Sequence, residues 1–90
     1  MSLQPKVKSA VAKRSLVIGA RKTSITLETA FWEALKEIAA SEGLTPGQLV
    51  ARIDAERTHA NLSSAIRLYV LEHYRRLAQE AAANGAKAKR

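Results

Sequence analysis

Polar and apolar side chains alternate along the stretch from Arg21 to Leu27. One set supplies an ammonium and two hydroxyls and consists of Lys22, Ser24 and Thr26. The intervening positions are less polar and hold Thr23, Ile25 and Leu27. A period of two is typical of a half-buried β-strand, so the two sets point to opposite faces. We predict that one face lies on a core while the other offers hydrogen-bonding groups to a partner molecule.

Other reactive residue types do not form the patterns of a catalytic or metal site. His59 and His73 lie far apart in a chain without cysteine, so further zinc ligands at suitable spacing are missing. Ser63-Ser64 lacks the glycine pattern of a nucleophile elbow and suits a helix start better. Asp54 and Glu56 form no acid–base pair on a rigid element, and no glycine-rich phosphate loop is present. We therefore expect no enzyme, no metal and no cofactor.

The basic residues are concentrated at the two ends of the chain. The net charge is +7, and residues 1–22 carry six lysines and arginines but no acidic residue. Residues 23–80 carry six basic and eight acidic side chains, and the last ten residues add Lys87, Lys89 and Arg90. Basic ends on a nearly neutral body suit a polyanion such as nucleic acid, although charged tails also keep small proteins in solution.

Chain length and residue usage limit the architecture. Ninety residues form one small domain, whose core is marginal unless a second chain shares it. The absence of cysteine excludes disulfides and is compatible with a reducing cytoplasm, where we expect the protein to act. No apolar run approaches the ~20 residues of a membrane helix, and the N-terminus lacks the apolar core of a secretory signal.

The N-terminal part of the chain contains a second strand candidate. Residues 1–13 lack periodicity and are predicted to form a disordered basic arm. Ser15–Ile18 is short and β-branched, so it forms either a hairpin with Thr23–Leu27 or the outer half of one strand bent at Gly19. We favour the separate strand, with a turn over Gly19–Lys22.

Two helices are predicted after the strands. An apolar stripe with spacing i, i+4, i+7 predicts helix A over about 29–42, and Gly43 follows its end. Helix B is predicted over about 46–55. Its start has a cap, a proline at the first position and a capping-box glutamine, which are Thr45, Pro46 and Gln48.

A third helix is predicted after a break over 57–60. Asn61 caps it, and Asn84-Gly85 ends it before a basic tail over 81–90. Its residues with a shared apolar face are Leu62, Ala65, Ile66, Tyr69, Val70, His73 and Leu77. Leu68 and Leu71 lie beside that face, which makes them candidates for contact with a partner protein.

The polar strand cannot be stable alone, because its backbone N–H and C=O groups need partners. We predict that it pairs with the same strand of a second copy. Two such strands side by side fit the major groove of DNA.

The order of a polar-faced strand, a helix, a Gly-Leu-Thr turn and a further helix resembles the ribbon-helix-helix (MetJ/Arc-type) family of DNA-binding proteins. A short bacterial variant is especially similar in the segments Arg21-Lys22-Thr23-Ser24-Ile25-Thr26-Leu27-Glu28, Phe31-Trp32, Gly43-Leu44 and Asn61-Leu62-Ser63-Ser64-Ala65-Ile66. The resemblance covers about residues 14–76, within a predicted domain over 14–80.

This resemblance implies an α+β fold, an intertwined homodimer with an N-terminal β-ribbon followed by three helices per chain. The side chains that it assigns to base edges are Lys22, Ser24 and Thr26. Phosphate contacts are predicted for Arg14, Arg21 and Thr45, the last at a helix N-terminus. The predicted dimer core consists of Ile25, Leu27, Phe31, Trp32, Leu35, Ile38, Leu49, Ile53 and Ile66.

The chain departs from the family pattern in two ways. A third helix follows the second, so either Thr45 or Asn61 marks the helix start that faces phosphate, and we favour Thr45. The additional upstream strand widens the ribbon into a four-stranded sheet and leaves open which strand faces DNA.

The predicted function is sequence-specific binding of double-stranded DNA, as a bacterial transcription regulator. The alternatives are an antitoxin-like or adaptor dimer that binds a partner protein through the third helix, and a non-specific nucleoid-type DNA binder.

Overall fold

Two strands precede three helices in the computed structural model, which describes residues 10–56 and 61–88, with side chains up to residue 84. The elements in chain order are β1 (Val11–Ile18), β2 (Arg21–Glu28), α1 (Thr29–Ser41), α2 (Pro46–Glu56) and α3 (Leu62–Ala88). The predicted α+β order of a ribbon followed by three helices is therefore confirmed. None of the helices in these ranges is long and apolar enough to span a bilayer.

The two strands form an antiparallel hairpin, so the separate upstream strand is confirmed. Ile18 lies opposite Arg21, and the turn is Gly19-Ala20, shorter than the predicted turn over Gly19–Lys22. Gly19 has a φ of 63° while Ala20 keeps a negative φ, as in the type II′ turns that match strand twist.

The strand β1 begins at Val11, four residues earlier than predicted. Residues 11–13 therefore belong to the hairpin rather than to an arm, because the whole length of β2 provides them with a pairing partner. Ala10 precedes β1 and its carbonyl accepts a hydrogen bond from the Thr29 N–H, while residues 1–9 of the predicted arm lie outside the described residues.

The helix α1 ends in a Schellman motif around Gly43. The Leu44 N–H donates to the carbonyl of Ala39 at 2.8 Å, and the Gly43 N–H donates to the carbonyl of Ala40 at 3.1 Å. Gly43 has a φ of 72°, a left-handed conformation that glycine adopts at low cost. The predicted end of helix A is thus correct to within one residue.

The helix α2 begins with the predicted capping box. The Gln48 N–H donates to the Thr45 hydroxyl oxygen at 3.1 Å, and the Thr45 N–H donates to the Gln48 amide oxygen at 2.8 Å. Two backbone donors at the helix start are satisfied in this way, which is why the chain turns into a helix at this point.

The helix α3 starts as predicted but does not end as predicted. The Ser64 N–H donates to the Asn61 side-chain oxygen at 2.8 Å, which confirms the cap. The helix continues through Asn84-Gly85 to Ala88. Glycine costs roughly 1 kcal/mol in a helix, and the flanking alanines and lysine are strong helix formers, so two unfavourable residues do not end it. The predicted break over 57–60 lies outside the described residues.

The core lies between the inner face of the hairpin and the three helices. Seven of the nine predicted core residues are buried within one chain, while Phe31 and Trp32 are half-buried and pack against them. The predicted dimer-core set does not include four further buried apolar side chains, which are Leu16, Ala39, Val50 and Val70. Together these residues hold the hairpin rigidly against the helices, so that its other face is presented to solvent.

Candidate nucleic-acid interface

One face of the hairpin is directed away from the core, and we call it the outer face. Successive side chains of a strand point to opposite sides, and burial shows which side is which. The exposed side chains of the outer face are Val11, Lys13, Ser15 and Val17 on β1 and Lys22, Ser24 and Thr26 on β2. The predicted polar set of β2 is thus brought together on an exposed surface, with β1 side chains beside it.

Cross-strand pairing arranges these side chains in rows. Lys13 lies opposite Thr26, and Ser15 lies opposite Ser24. A third row pairs Val17 with Lys22. Each row therefore holds one side chain from each strand, and the face offers two ammonium groups and three hydroxyls.

The charge of the outer face is positive because its one nearby acid is paired. Glu28 is the only carboxylate between residues 11 and 28. Its carboxylate oxygen accepts a hydrogen bond from the Arg67 Nε at 2.8 Å. That hydrogen bond, together with the attraction of the guanidinium charge, holds the pKa of Glu28 below its ordinary value. Glu28 therefore stays ionised, and the charge of Arg67 offsets it.

The second edge of β2 is not paired with any strand among the described residues. The Thr29 N–H donates to the carbonyl of Ala10 at 2.9 Å. This bond shows which of the cross-strand residue pairs exchange backbone hydrogen bonds. Hydrogen-bonded pairs alternate with non-bonded pairs in antiparallel sheets. The backbone N–H and C=O groups of Lys22, Ser24 and Thr26 therefore point away from β1, toward the open edge.

The start of α3 lies beside this open edge. The Ser63 hydroxyl donates to the carbonyl of Thr26 at 2.7 Å. A shallow groove of about 380 Å³ separates the edge from the helix, and it is lined by Ser24, Ile25, Thr26, Asn61, Leu62, Ser63 and Arg67. A carbonyl oxygen accepts two hydrogen bonds, so the bond from Ser63 leaves capacity at Thr26 for a second donor.

The outer edge of β1, in contrast, is covered by α2 at one point. A Cβ atom on Gly47 would lie 2.2 Å from the carbonyl oxygen of Val17, so only glycine permits this approach of the helix to the strand. Val17 belongs to the set whose backbone groups point away from β2. The two edges of the hairpin thus differ, and β2 offers the accessible one.

Arg14 does not lie with the other predicted contact residues. It points to the inner face, where its Nη2 donates to the Thr29 hydroxyl at 2.9 Å and its guanidinium carbon lies 5.7 Å from the centre of the Trp32 ring. Its Nε is buried without a hydrogen-bond partner. The prediction that Arg14 contacts phosphate does not fit this geometry, because its guanidinium lies on Trp32 and Thr29, on the side of the sheet away from Lys22.

The other predicted phosphate contacts are exposed. Arg21 lies at the turn end of the hairpin, where strand alternation assigns it to the face of Ile25 and its side chain is exposed. Thr45 lies at the start of α2, next to the covered edge of β1. Their assignment to phosphate remains a prediction.

The described residues contain no group of three potential ligands that could hold a metal ion. His73 is half-buried on α3, with its ring edge-on to Tyr74 at 5.0 Å between centroids. His59, the other histidine, lies outside the described residues.

Lys13 and Ser15 belong to the exposed outer face but were not predicted for it from the sequence. The pattern of β1 is obscured because Arg14 takes an inward position while Val11 and Val17 point outward. The length of β2 provided a usable signal. A two-residue turn at Gly19-Ala20 pairs an eight-residue strand with eight residues before the turn, which extends β1 to Val11.

Comparison with known proteins agrees with this architecture. No match was found among curated protein sequences. A solved structure of an uncharacterized protein from Bordetella pertussis Tohama I is similar to the chain, with 30% sequence identity and a TM-score of 0.69. The match covers 87% of this chain and 66% of that protein, so this chain spans slightly under two thirds of its relative. A family model described as "Ribbon-helix-helix domain" matches residues 11–74, and the chain therefore belongs to the ribbon-helix-helix domain family.

Proposed function

We propose that the protein binds double-stranded DNA sequence-specifically, as a dimer whose central β-ribbon enters the major groove, and that it acts as a bacterial transcription regulator. Ribbon-helix-helix domains are commonly DNA-binding regulators or antitoxins. The observation that carries the proposal is the exposed outer face of β2, which holds Lys22, Ser24 and Thr26 on a rigid, positively charged hairpin.

The chemistry of these side chains suits base edges. A lysine ammonium donates to the O6 and N7 atoms of guanine, and serine and threonine hydroxyls pair with several bases. Because none of these side chains is needed for the core of the chain, all of them are free to contact a ligand.

The open edge of β2 supports the dimer. Lys22, Ser24 and Thr26 direct backbone groups to that edge, where no strand of the described residues pairs with them, although the Thr26 carbonyl already accepts a hydrogen bond from Ser63. A second β2 strand in antiparallel orientation would provide ladder partners for these groups. The core of a 90-residue chain is small, so sharing it with a second copy adds stability. The predicted dimer core fits this arrangement, since Ile25 and Leu27 lie on β2 itself.

Phosphate contacts would supply most of the affinity. The start of α2 lies at the side of the hairpin away from the proposed dimer axis, so Thr45 would flank the groove. Arg21 is a second candidate at the turn. Both would position the ribbon without reading sequence.

The test is selection of bound sequences from a randomised duplex library, followed by fluorescence anisotropy titrations with the selected and a scrambled duplex. The parent protein should enrich a short, two-fold symmetric site. The K22A/S24A/T26A variant should bind both duplexes with the same affinity. The substitution K36A serves as the matched control, because Lys36 lies on α1 and its ammonium lies 5.8 Å from the centre of the Trp32 ring, behind the hairpin.

Three results would contradict the proposal. Unchanged discrimination by the triple variant would remove the β2 face from base reading. Salt-sensitive binding without an enriched site would favour a non-specific nucleoid-type binder. No binding at low salt would exclude DNA recognition by the isolated protein.

One observation favours a second candidate function, an antitoxin-like or adaptor dimer that binds a partner protein. Leu68 and Leu71 on α3 are 57% and 50% exposed. Exposed leucines on one helix suit a protein contact. If the variant L68A/L71A keeps the affinity for DNA but loses a co-purifying protein partner, this second function is supported.

A further inference from the structure

The strand β1 adds a lysine to the DNA-binding face proposed above. The family resemblance assigns the contact to one strand per chain, whereas here Lys13 of β1 is exposed on the outer face directly opposite Thr26. Neighbouring strands lie about 4.8 Å apart, so Lys13 is one strand away from the proposed base-reading set.

The order of strands in the dimer follows from the two edges of the hairpin. The edge of β1 is covered where Gly47 lies against the Val17 carbonyl, whereas the backbone groups of Ser24 on β2 point to an open edge. A second copy therefore pairs through β2. The two β2 strands are central, and the two β1 strands are outermost.

The width of this sheet decides which strand can reach the bases. Three spacings of about 4.8 Å place the outermost strands roughly 14 Å apart. The major groove of B-DNA is about 12 Å wide. Only the central pair of strands fits inside the groove, so each β1 strand lies over a rim, where the phosphates are.

We propose that Lys13 of each subunit binds a backbone phosphate at the rim of the groove, while Lys22 on the neighbouring strand reads bases. This inference rests on the proposed function. It assigns the two lysines of one face to different parts of the DNA, and the difference can be measured. A phosphate contact adds affinity for every sequence and increases the salt dependence, whereas a base contact changes the sequence preference.

The experiment compares the parent, K13Q and K36Q by anisotropy titrations with the selected and the scrambled duplex over a range of salt concentrations. Each phosphate contact contributes about 0.9 to the slope of log K against log salt concentration for B-DNA. Because K13Q removes two such contacts per dimer, the magnitude of this slope should be lower by roughly 2 than in the parent. The ratio of the two affinities should stay as in the parent. K36Q removes the same charge from the side of the hairpin that carries Trp32 and should leave the slope unchanged.

Each other result overturns the inference in a distinguishable way. If K13Q behaves like K36Q while the parent still discriminates between the duplexes, Lys13 makes no phosphate contact, and the proposed function stands. If K13Q changes the affinity ratio, Lys13 reaches the bases, and its placement at the rim is wrong. If the parent binds neither duplex, the proposed function and this inference both fail. Thermal melting of K13Q checks the fold, which an exposed lysine should not disturb.

Discussion

At the scale of single residues, the missing side chain of Gly47 lets the start of α2 lie directly against the backbone of β1. The Arg14 side chain makes a comparable contact on the inner face, where the guanidinium lies over the Trp32 ring and donates to Thr29. Glycine is often found in flexible turns, and arginine is often an exposed charge on the surface. In this fold each of them serves to position the hairpin on the helices.

The substitution G47A tests this close approach. Alanine is a better helix former than glycine by about 1 kcal/mol, so helix propensity alone predicts stabilisation. The new Cβ would lie 2.2 Å from the Val17 carbonyl oxygen, a backbone atom that cannot move away cheaply. We expect a net loss of roughly 1–2 kcal/mol in the free energy of unfolding, because overpacking outweighs propensity. Urea denaturation measures it, and a variant more stable than the parent would show that the helix does not approach the strand in this way.

At the scale of elements, α3 is fixed to the rest of the chain by polar contacts in its N-terminal half. Ser63 bonds to β2, Arg67 pairs with Glu28, and the Tyr74 hydroxyl donates to the Glu37 carboxylate at 3.2 Å. Partial burial and that carboxylate raise the pKa of Tyr74. The helices α1 and α2 are joined in a similar way by the pair between Arg52 and Glu42, which raises the pKa of Arg52. These contacts orient helices whose apolar faces alone allow some sliding.

The pair between Glu28 and Arg67 makes stability depend on pH. The hydrogen bond from Arg67 lowers the pKa of Glu28 in the folded state below its ordinary value of 4.5. The resulting stabilisation is fully present above that value and is lost as the pH falls through the folded pKa. We expect E28Q to be less stable than the parent at pH 6 and this difference to shrink as the pH falls below 4.5.

Thermal melts of the parent, E28Q, R67Q and the double variant from pH 6 to pH 3 measure this dependence. The double-mutant cycle isolates the coupling between the two side chains. A coupling that stays the same over the whole pH range would show that the ion pair makes no contribution.

At the scale of the whole molecule, the proposed dimer depends on which edge of the hairpin is open. The backbone N–H of Ser24 points to the open edge of β2, and that of Ser15 points to the edge of β1. Neither N–H belongs to the ladder within the hairpin. The two serines therefore form a matched pair of positions, one on each edge.

The substitutions S24P and S15P test the pairing edge. Proline removes a backbone donor and is tolerated in strands only where that donor is not needed by a neighbour. We expect S24P to weaken dimerisation strongly and S15P to leave it close to that of the parent. Sedimentation equilibrium measures the dimer dissociation constant, and circular dichroism checks that the helices remain. Equal dissociation constants for S24P and the parent would exclude pairing through β2.

The sequence by itself determined the features that depend on near neighbours in the chain. The alternation from Lys22 to Leu27 assigned side chains to the two faces of β2, and the capping residues placed the starts of α2 and α3. Strand alternation and helix caps are set by residues no more than about four positions apart, so a sequence pattern displays them directly. The order of elements and the family followed from the same local signals.

Only the tertiary structure decided which groups meet across the chain. It directed Arg14 inward onto Trp32, paired Glu28 with Arg67, brought Lys13 beside Thr26 and covered one edge of the hairpin. The partners in these contacts lie far apart in sequence, 39 residues in the case of Glu28 and Arg67. Such contacts depend on how the inner face of the sheet packs on three helices at once. No local pattern contains that packing, which is why Lys13 and Arg14 could be counted from the sequence but not assigned to a face of the hairpin.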